Sequence, residues 1–320
     1  MKFSKLGSSD LQVSSLCVGC MSFGNPDSNF HSWTLNADES EVLVKRALDL
    51  GINFFDTANI YSSGTSEEYL GRAIKNNIAR DKVVLATKVY FNEGKLTKEA
   101  ILREVDGSLK RLGTDYVDLY IIHRFDHDTP MEETMEALNS LVKAGKVKAL
   151  GASAMYGYQF HNMQLVAKEN GWTPFTSMQN HYNLLYREDE RELIPICKQQ
   201  NVALTPYSPL AAGRLSRLEW NADTNRSQTD KTAISKYDST QEADYNIVLR
   251  VNELAEKHNG TMTQIALAWQ YAKGVTSPII GATKAKYFDD AVGALDIKLS
   301  EDDVAYLDEL YIPHKIVGAI

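Results

Sequence analysis

The chain has 320 residues, 43% of them hydrophobic and 24% charged, an ordinary globular composition that excludes collagen, coiled coil and wholesale disorder. Its 34 basic and 42 acidic residues leave a net charge of −8, a poor match to a phosphate backbone, so no nucleic-acid partner is expected. Three cysteines make no disulfide framework, and no stretch reaches the ~18–20 apolar residues that span a bilayer. The first seven residues lack the apolar core of a signal peptide. A soluble cytoplasmic protein without a membrane partner is expected.

Residues 1–15 carry short runs around 7–10 and predict a β-hairpin. Apolar runs then recur at 16–19, 53–56, 83–88, 117–123, 147–153, 175–179, 202–207 and 275–280. They are apolar at successive positions, as strands buried on both faces are. Amphipathic stretches separate them. Residues 37–50 follow Asn36, with Glu39 at capping-box distance. Thr65-Ser66-Glu67-Glu68 reads as a capping box for a second helix. Ile101, Leu102, Val105, Leu109 and Leu112 share one helical face, and Gly113 stops the run. Thr129 reads as a cap with Pro130 in the first helical position, and Gly145 follows the run ending at Ala144. Pro195 weakens a helix over 190–200. Residues 211–243 form a long polar connection.

Alternating strands and helices require a parallel sheet with helices outside it. Neither G-x-G-x-x-G nor G-x-x-x-x-G-K-[ST] occurs, which argues against a doubly wound nucleotide fold. Eight strand–helix units fit a (β/α)8 TIM barrel, predicted as one domain over 1–320, with an N-terminal hairpin and the long 211–243 connection. Barrel chemistry sits where strands end. The predicted strands end at Asp56, Lys88, His123, Ser153, Gln179-Asn180 and Tyr207-Ser208, with Tyr61 five residues past Asp56. So many polar strand ends predict one converging site.

Several blocks carry a resemblance. They are Gly51-Ile52-Asn53-Phe54-Phe55-Asp56-Thr57-Ala58 with Tyr61, Leu85-Ala86-Thr87-Lys88, and Leu119-Tyr120-Ile121-Ile122-His123. Leu150-Gly151-Ala152-Ser153, Met178-Gln179-Asn180, Pro206-Tyr207-Ser208-Pro209-Leu210 and Ile279-Ile280-Gly281-Ala282-Thr283-Lys284 follow in order. Together they resemble the signature blocks of the aldo-keto reductase superfamily over nearly the whole chain. The chain looks most like the bacterial and fungal branch related to potassium-channel β subunits.

The resemblance implies reduction of a small aldehyde or ketone with NADPH and no metal. Tyr61 would be the proton donor, Lys88 its tuning ammonium, Asp56 the partner that orients Lys88, and His123 a hydrogen-bond donor to the carbonyl oxygen. Ser153, Gln179 and Asn180 match the positions that hold the nicotinamide carboxamide, and Tyr207 the ring that stacks on it. Ser208, Leu210, Gly213 and Arg214 match the pyrophosphate stretch, where glycine permits close approach and arginine pairs with phosphate, and the long loop 211–243 that they open would cover the cofactor. Gly281, Thr283, Lys284 and Asp290 match the adenosine end. Many relatives carry Arg where this chain has Tyr287, so Lys284 would read the 2′-phosphate as a point charge and NADH stays open as an alternative cofactor. Met21, Phe30, Trp33 and Phe125 are candidates for an apolar substrate wall. The Cys17-Val18-Gly19-Cys20 pair is read as structural. A second reading of the same barrel is a regulatory, redox-sensing subunit that binds NADP(H) with little turnover.

Overall fold

A computed structural model describes residues 1–28, 32–220, 236–237 and 240–318. Ten strands are present among the described residues. β1 (Phe3–Lys5) and β2 (Gln12–Ser14) form an antiparallel hairpin. β3 (Cys17–Gly19), β4 (Phe54–Asp56), β5 (Val84–Val89), β6 (Val117–Ile122), β7 (Val147–Ser153), β8 (Phe175–Gln179), β9 (Ala203–Leu204) and β10 (Ile279–Gly281) form one parallel sheet in the order β10-β3-β4-β5-β6-β7-β8-β9. The sheet closes on itself: Thr276 N donates to Leu204 O at 3.0 Å and Ile279 N to Pro206 O at 2.9 Å. The fold is a (β/α)8 barrel with an N-terminal hairpin.

The helices between strands are α1 (Ala37–Asp49), α2 (Thr65–Asn77), α3 (Lys98–Leu112), α4 (Met131–Lys143), α5 (Gly157–Asn170) and α6 (Leu193–Gln199). Among the described residues, α7 (Gln241–Lys257) and α8 (Met262–Ala272) lie between β9 and β10, and α9 (Lys286–Gly293) and α10 (Glu301–Asp308) follow. The Asn36/Glu39 capping box opens α1, and Gly113 at φ 65° closes α3. Pro195 is the third residue of α6, where its missing N–H has no helical acceptor to lose. Two expected caps differ. Thr65 is the first residue of α2 rather than its cap, because its hydroxyl is used on Ser62 O and Asn25 N. Thr129 turns its hydroxyl to Asp126 at 2.7 Å, and Pro130 takes the cap position of α4.

Alternation along each strand decides what faces the barrel axis. Cys17, Phe54, Val84, Ala86, Leu119, Ile121 and Ala149 pack with one another inside the barrel. Val18, Phe55, Leu85, Tyr120, Ile122 and Leu150 belong to the larger core beneath the helices. Leu6 and Val13 of the hairpin join the inner cluster and plug the N-terminal end. Continued in steps of two, the same parity brings Asp56, Lys88 and His123, and after Gly151 also Ser153, to the inner side at the other end. The site is thus a consequence of strand phase. Cys17 faces inward and Cys20 outward, so the C-x-x-C pair divides between two layers.

Candidate active site

Lys88 is the hub. Its ammonium lies 2.6 Å from Asp56 Oδ1, donates to Thr57 O at 2.7 Å and reaches Tyr61 OH at 3.3 Å. Gln179 Nε2 donates to the other carboxylate oxygen, Asp56 Oδ2, at 2.9 Å. Lys88 is fully buried and Asp56 nearly so. Burial presses Lys88 toward its neutral form, but Asp56 and Tyr61 outweigh it, so it remains an ammonium. Burial raises Tyr61 above the ordinary phenol range, and the lowering pull of Lys88 does not cancel it. Tyr61 is therefore a protonated phenol with a cation at its oxygen. Burial, then Lys88 and Arg124, hold His123 well below the usual imidazole range. Neutral His123 stands edge-on to Tyr61, with ring centroids 5.9 Å apart, and its buried Nδ1 has no hydrogen-bond partner.

The chain bends sharply to present Tyr61. Ser62 and Ser63 have φ of 47° and 55°, and Gly64 follows at 92°. A side chain on Gly64 would strike Arg111. Six of the nine non-glycine residues with positive φ among the described residues lie just past site-bearing positions: Ser62, Ser63, Ala154, Ser208, Ala211 and Ala212. Left-handed conformations of this kind cost about 1–3 kcal/mol each and persist where surrounding structure imposes them. The buried Glu67 supplies part of that support: it accepts from Thr87 Oγ1 and Arg111 Nε, each at 2.6 Å.

Beside the hub, Ser153 Oγ donates to Gln179 O at 2.8 Å. Asn180 Nδ2 donates to Asp189 Oδ2 at 2.9 Å, while Asn180 Oδ1 is buried without a partner. Burial pushes the Asp189 carboxyl up to about 7, against the Asn180 hydrogen bond. Tyr207 stacks on His181 with centroids 5.2 Å apart and planes 7° from parallel. Lys236 Nζ lies 4.6 Å over the Tyr207 ring.

Ser208 O accepts from Asn183 Nδ2 at 2.9 Å. Leu210 packs against the core. Gly213, at φ 95°, lies within the 3-10 turns Ala211–Ser216. The Arg214 guanidinium lies over the rings of Tyr237 and Trp220, at 5.1 and 5.6 Å. Of the expected covering loop, residues 221–235 and 238–239 lie outside the described residues.

At the far end, Gly281 and Lys284 are exposed and Thr283 half-buried, just before α9. Asp290 Oδ1 is taken up by Thr261 Oγ1 at 2.8 Å and Gln264 Nε2 at 3.1 Å, so its first role is to brace the start of α8. Met21 is half-buried past β3 and Trp33 is buried. Phe125 packs partly on the core and edge-on to His127. Phe30 lies outside the described residues.

Sequence reasoning missed three groups, and left residues 311–315 between covering the site and packing at an interface. Phe91, 46% exposed, stands edge-on to His123 at 5.0 Å. His181 is sandwiched between Tyr186 and Tyr207, and its Nε2 meets Tyr237 OH at 2.7 Å. Asp189 engages Asn180. The C-terminal segment also reaches the site. Tyr311 OH donates to Glu188 Oε1 at 2.7 Å, Val317 N donates to Tyr186 OH at 3.0 Å, and Gly318 lies against the Tyr207 hydroxyl. The unbroken polar series from Gln179 to His181 was the available signal for the second group.

This barrel with an Asp–Lys–Tyr–His mouth has known relatives. The sequence profile of the Aldo/keto reductase family matches residues 15–312. An aldo-keto reductase of Fusarium vanettenii is 43% identical over 98% of this chain and 92% of its own. Versiconal hemiacetal acetate reductase of Aspergillus parasiticus is 41% identical over 99% of this chain and 98% of its own. A Schizosaccharomyces pombe protein with a provisional aryl-alcohol dehydrogenase name is 43% identical over 98% and 97%. The chain belongs to the aldo/keto reductase family of oxidoreductases.

Proposed function

We propose that this protein reduces aldehydes or ketones to alcohols with NADPH in the cytoplasm, and that Tyr61 delivers the proton. The observation that carries this reading is the placement of Lys88 Nζ between Asp56 Oδ1 and Tyr61 OH, at 2.6 and 3.3 Å. The bound nicotinamide would supply a hydride to the carbonyl carbon. The protein's part is the charge that develops on oxygen. Tyr61 gives its proton to that oxygen, and the adjacent ammonium stabilises the phenolate left behind. Asp56 and Thr57 O aim the ammonium, and Gln179 holds Asp56. His123, neutral and with one ring N–H to donate, orients the carbonyl.

The cofactor fits the remaining residues. Asn180 Oδ1 is a buried acceptor in need of a donor, which a carboxamide provides. Ser153 and Gln179 flank it, Tyr207 offers an aromatic face, and Ser208, Leu210, Gly213 and Arg214 take the pyrophosphate. Gly281, Thr283 and Lys284 hold the adenosine end, with Asp290 behind them. Phe91 beside His123, with Met21 and Trp33, favours an apolar or aromatic carbonyl, and Phe125 extends the proposed wall.

The cofactor assignment is tested at Lys284. No arginine stands at Tyr287, so Lys284 carries the 2′-phosphate contact. Lys284→Ala should weaken NADPH about tenfold, the ~1.5 kcal/mol scale of a charged hydrogen bond. NADH should change less than about twofold on the same scale. Equal losses in a binding titration would remove Lys284 from 2′-phosphate recognition.

A further inference from the structure

Two side-chain amides stand next to each other at the end of β8, and each is tied by its nitrogen to a carboxylate. Gln179 Nε2 donates to Asp56 Oδ2, and Asn180 Nδ2 donates to Asp189 Oδ2, both at 2.9 Å. A carboxylate only accepts, so it dictates which end of the amide faces it. The nitrogen turns to the acid, and the oxygen is left for something else. For Asn180 that oxygen is buried and without a partner, a costly arrangement unless a ligand completes it. The backbone ties the same residue to the stacking platform, since Tyr207 N donates to Asn180 O at 2.9 Å.

Asp189 sits in a single 3-10 turn, Glu188–Glu190. Its two neighbours are committed to scaffolding. Glu188 Oε1 accepts from Tyr311 OH and His314 N, and Glu190 Oε2 accepts from Arg187 Nη2 at 2.8 Å. Of the three acids, Asp189 is the one bonded to a residue of the cofactor site.

We propose that Asp189 is a positioning residue that fixes the Asn180 amide with Oδ1 as an acceptor, thereby selecting a ligand whose carboxamide N–H2 donates there. The inference rests on the cofactor reading above and deepens it: it names the residue that sets the polarity of the carboxamide subsite. Asp189→Asn keeps the shape but removes the dictation. An Asn at 189 pairs with Asn180 in either sense, so its own nitrogen can occupy Oδ1.

The test compares NADPH with its reduced 3-acetylpyridine analogue, in which a methyl ketone replaces the carboxamide and no N–H2 is present. Dissociation constants are measured by calorimetry at pH 8, above the value of about 7 to which Asp189 is pushed. Wild type should prefer NADPH over the analogue by about fivefold, the worth of one neutral hydrogen bond. In Asp189→Asn, and independently in Asn180→Ala, that preference should collapse to within about twofold, because the bond is lost from NADPH alone. Loss of affinity for both ligands by the same factor, with the preference intact, would make Asp189 merely structural and overturn the inference. Should Asp189→Asn fail to fold, an undiminished preference in Asn180→Ala overturns it equally. If wild type binds neither ligand, the cofactor reading itself has failed and the inference falls with it. If wild type binds both without preference, only the inference fails.

Discussion

Tyr61→Phe should lower the rate of carbonyl reduction by about 10²–10⁴-fold, the range over which a positioned general acid contributes. NADPH binding should change by less than about twofold, since the substitution removes only the phenol oxygen that meets Lys88 at 3.3 Å. The ring survives in the variant and keeps its edge-on packing against His123, so the loss isolates the proton. The pH profile sharpens the result. Burial holds Tyr61 above the ordinary phenol range, so the acid form persists through neutral pH and reduction should stay active on the alkaline side of neutrality. Single-turnover kinetics with NADPH and an activated aldehyde, paired with a binding titration, check both halves. Turnover equal to wild type would remove Tyr61 from the mechanism.

Lys88→Met should be the most damaging substitution, because it removes three things at once. The phenolate loses its cation, Asp56 loses its counter-ion and Thr57 O loses its donor. Stranding one partner of a buried ion pair costs about 3–5 kcal/mol, and carbonyl reduction should fall below that of Tyr61→Phe. The sign of the pH dependence follows from Asp56. Its carboxyl is already raised by burial, against the lowering effect of Lys88. Without Lys88 it rises further, so the folded state binds a proton that the unfolded state has released. Stability of Lys88→Met should therefore be higher at acidic pH and fall as pH rises through the raised Asp56 value. Adding Asp56→Asn should recover much of the stability and none of the activity. Denaturant titrations between pH 5 and 8 provide the check. A flat profile, or recovered activity in the double variant, would contradict this account of the pair.

The strand-end places of Asp56, Lys88 and His123 were legible in the sequence because strand alternation is local, whereas Tyr61 stands in the loop after β4 and does not follow from it. Once Val84 and Ala86 face the axis, Lys88 must follow, and Phe54 sends Asp56 the same way. Helix ends were legible where one local device decided them, as at Asn36 and Gly113. They were misread where a tertiary partner competed for the capping group, as Asp126 does for Thr129 and Ser62 O for Thr65. The second layer of the site was not legible because it is assembled over long separations. His181 needs Tyr237 at its ring nitrogen and Tyr207 on its face. Gly318 meets Tyr207 across more than a hundred residues of chain. No periodicity in one sequence encodes such pairings. Asp189 illustrates the point: in sequence it is one of three consecutive acids, and packing alone sends it to Asn180. The Asp290 position shows the reverse case, a residue matched to the cofactor whose carboxylate is largely occupied by Thr261 and Gln264.

The most direct measurement follows loss of absorbance at the reduced-nicotinamide band with purified protein, NADPH and 4-nitrobenzaldehyde. The account predicts oxidation of NADPH matched one-to-one by formation of 4-nitrobenzyl alcohol, with NADH slower. The same reaction should be about 10²–10⁴-fold slower in Tyr61→Phe. Tight binding of NADPH with no aldehyde consumed, for this or for a panel of aliphatic and aromatic carbonyls, would contradict it and leave a nicotinamide-binding barrel without reductase chemistry.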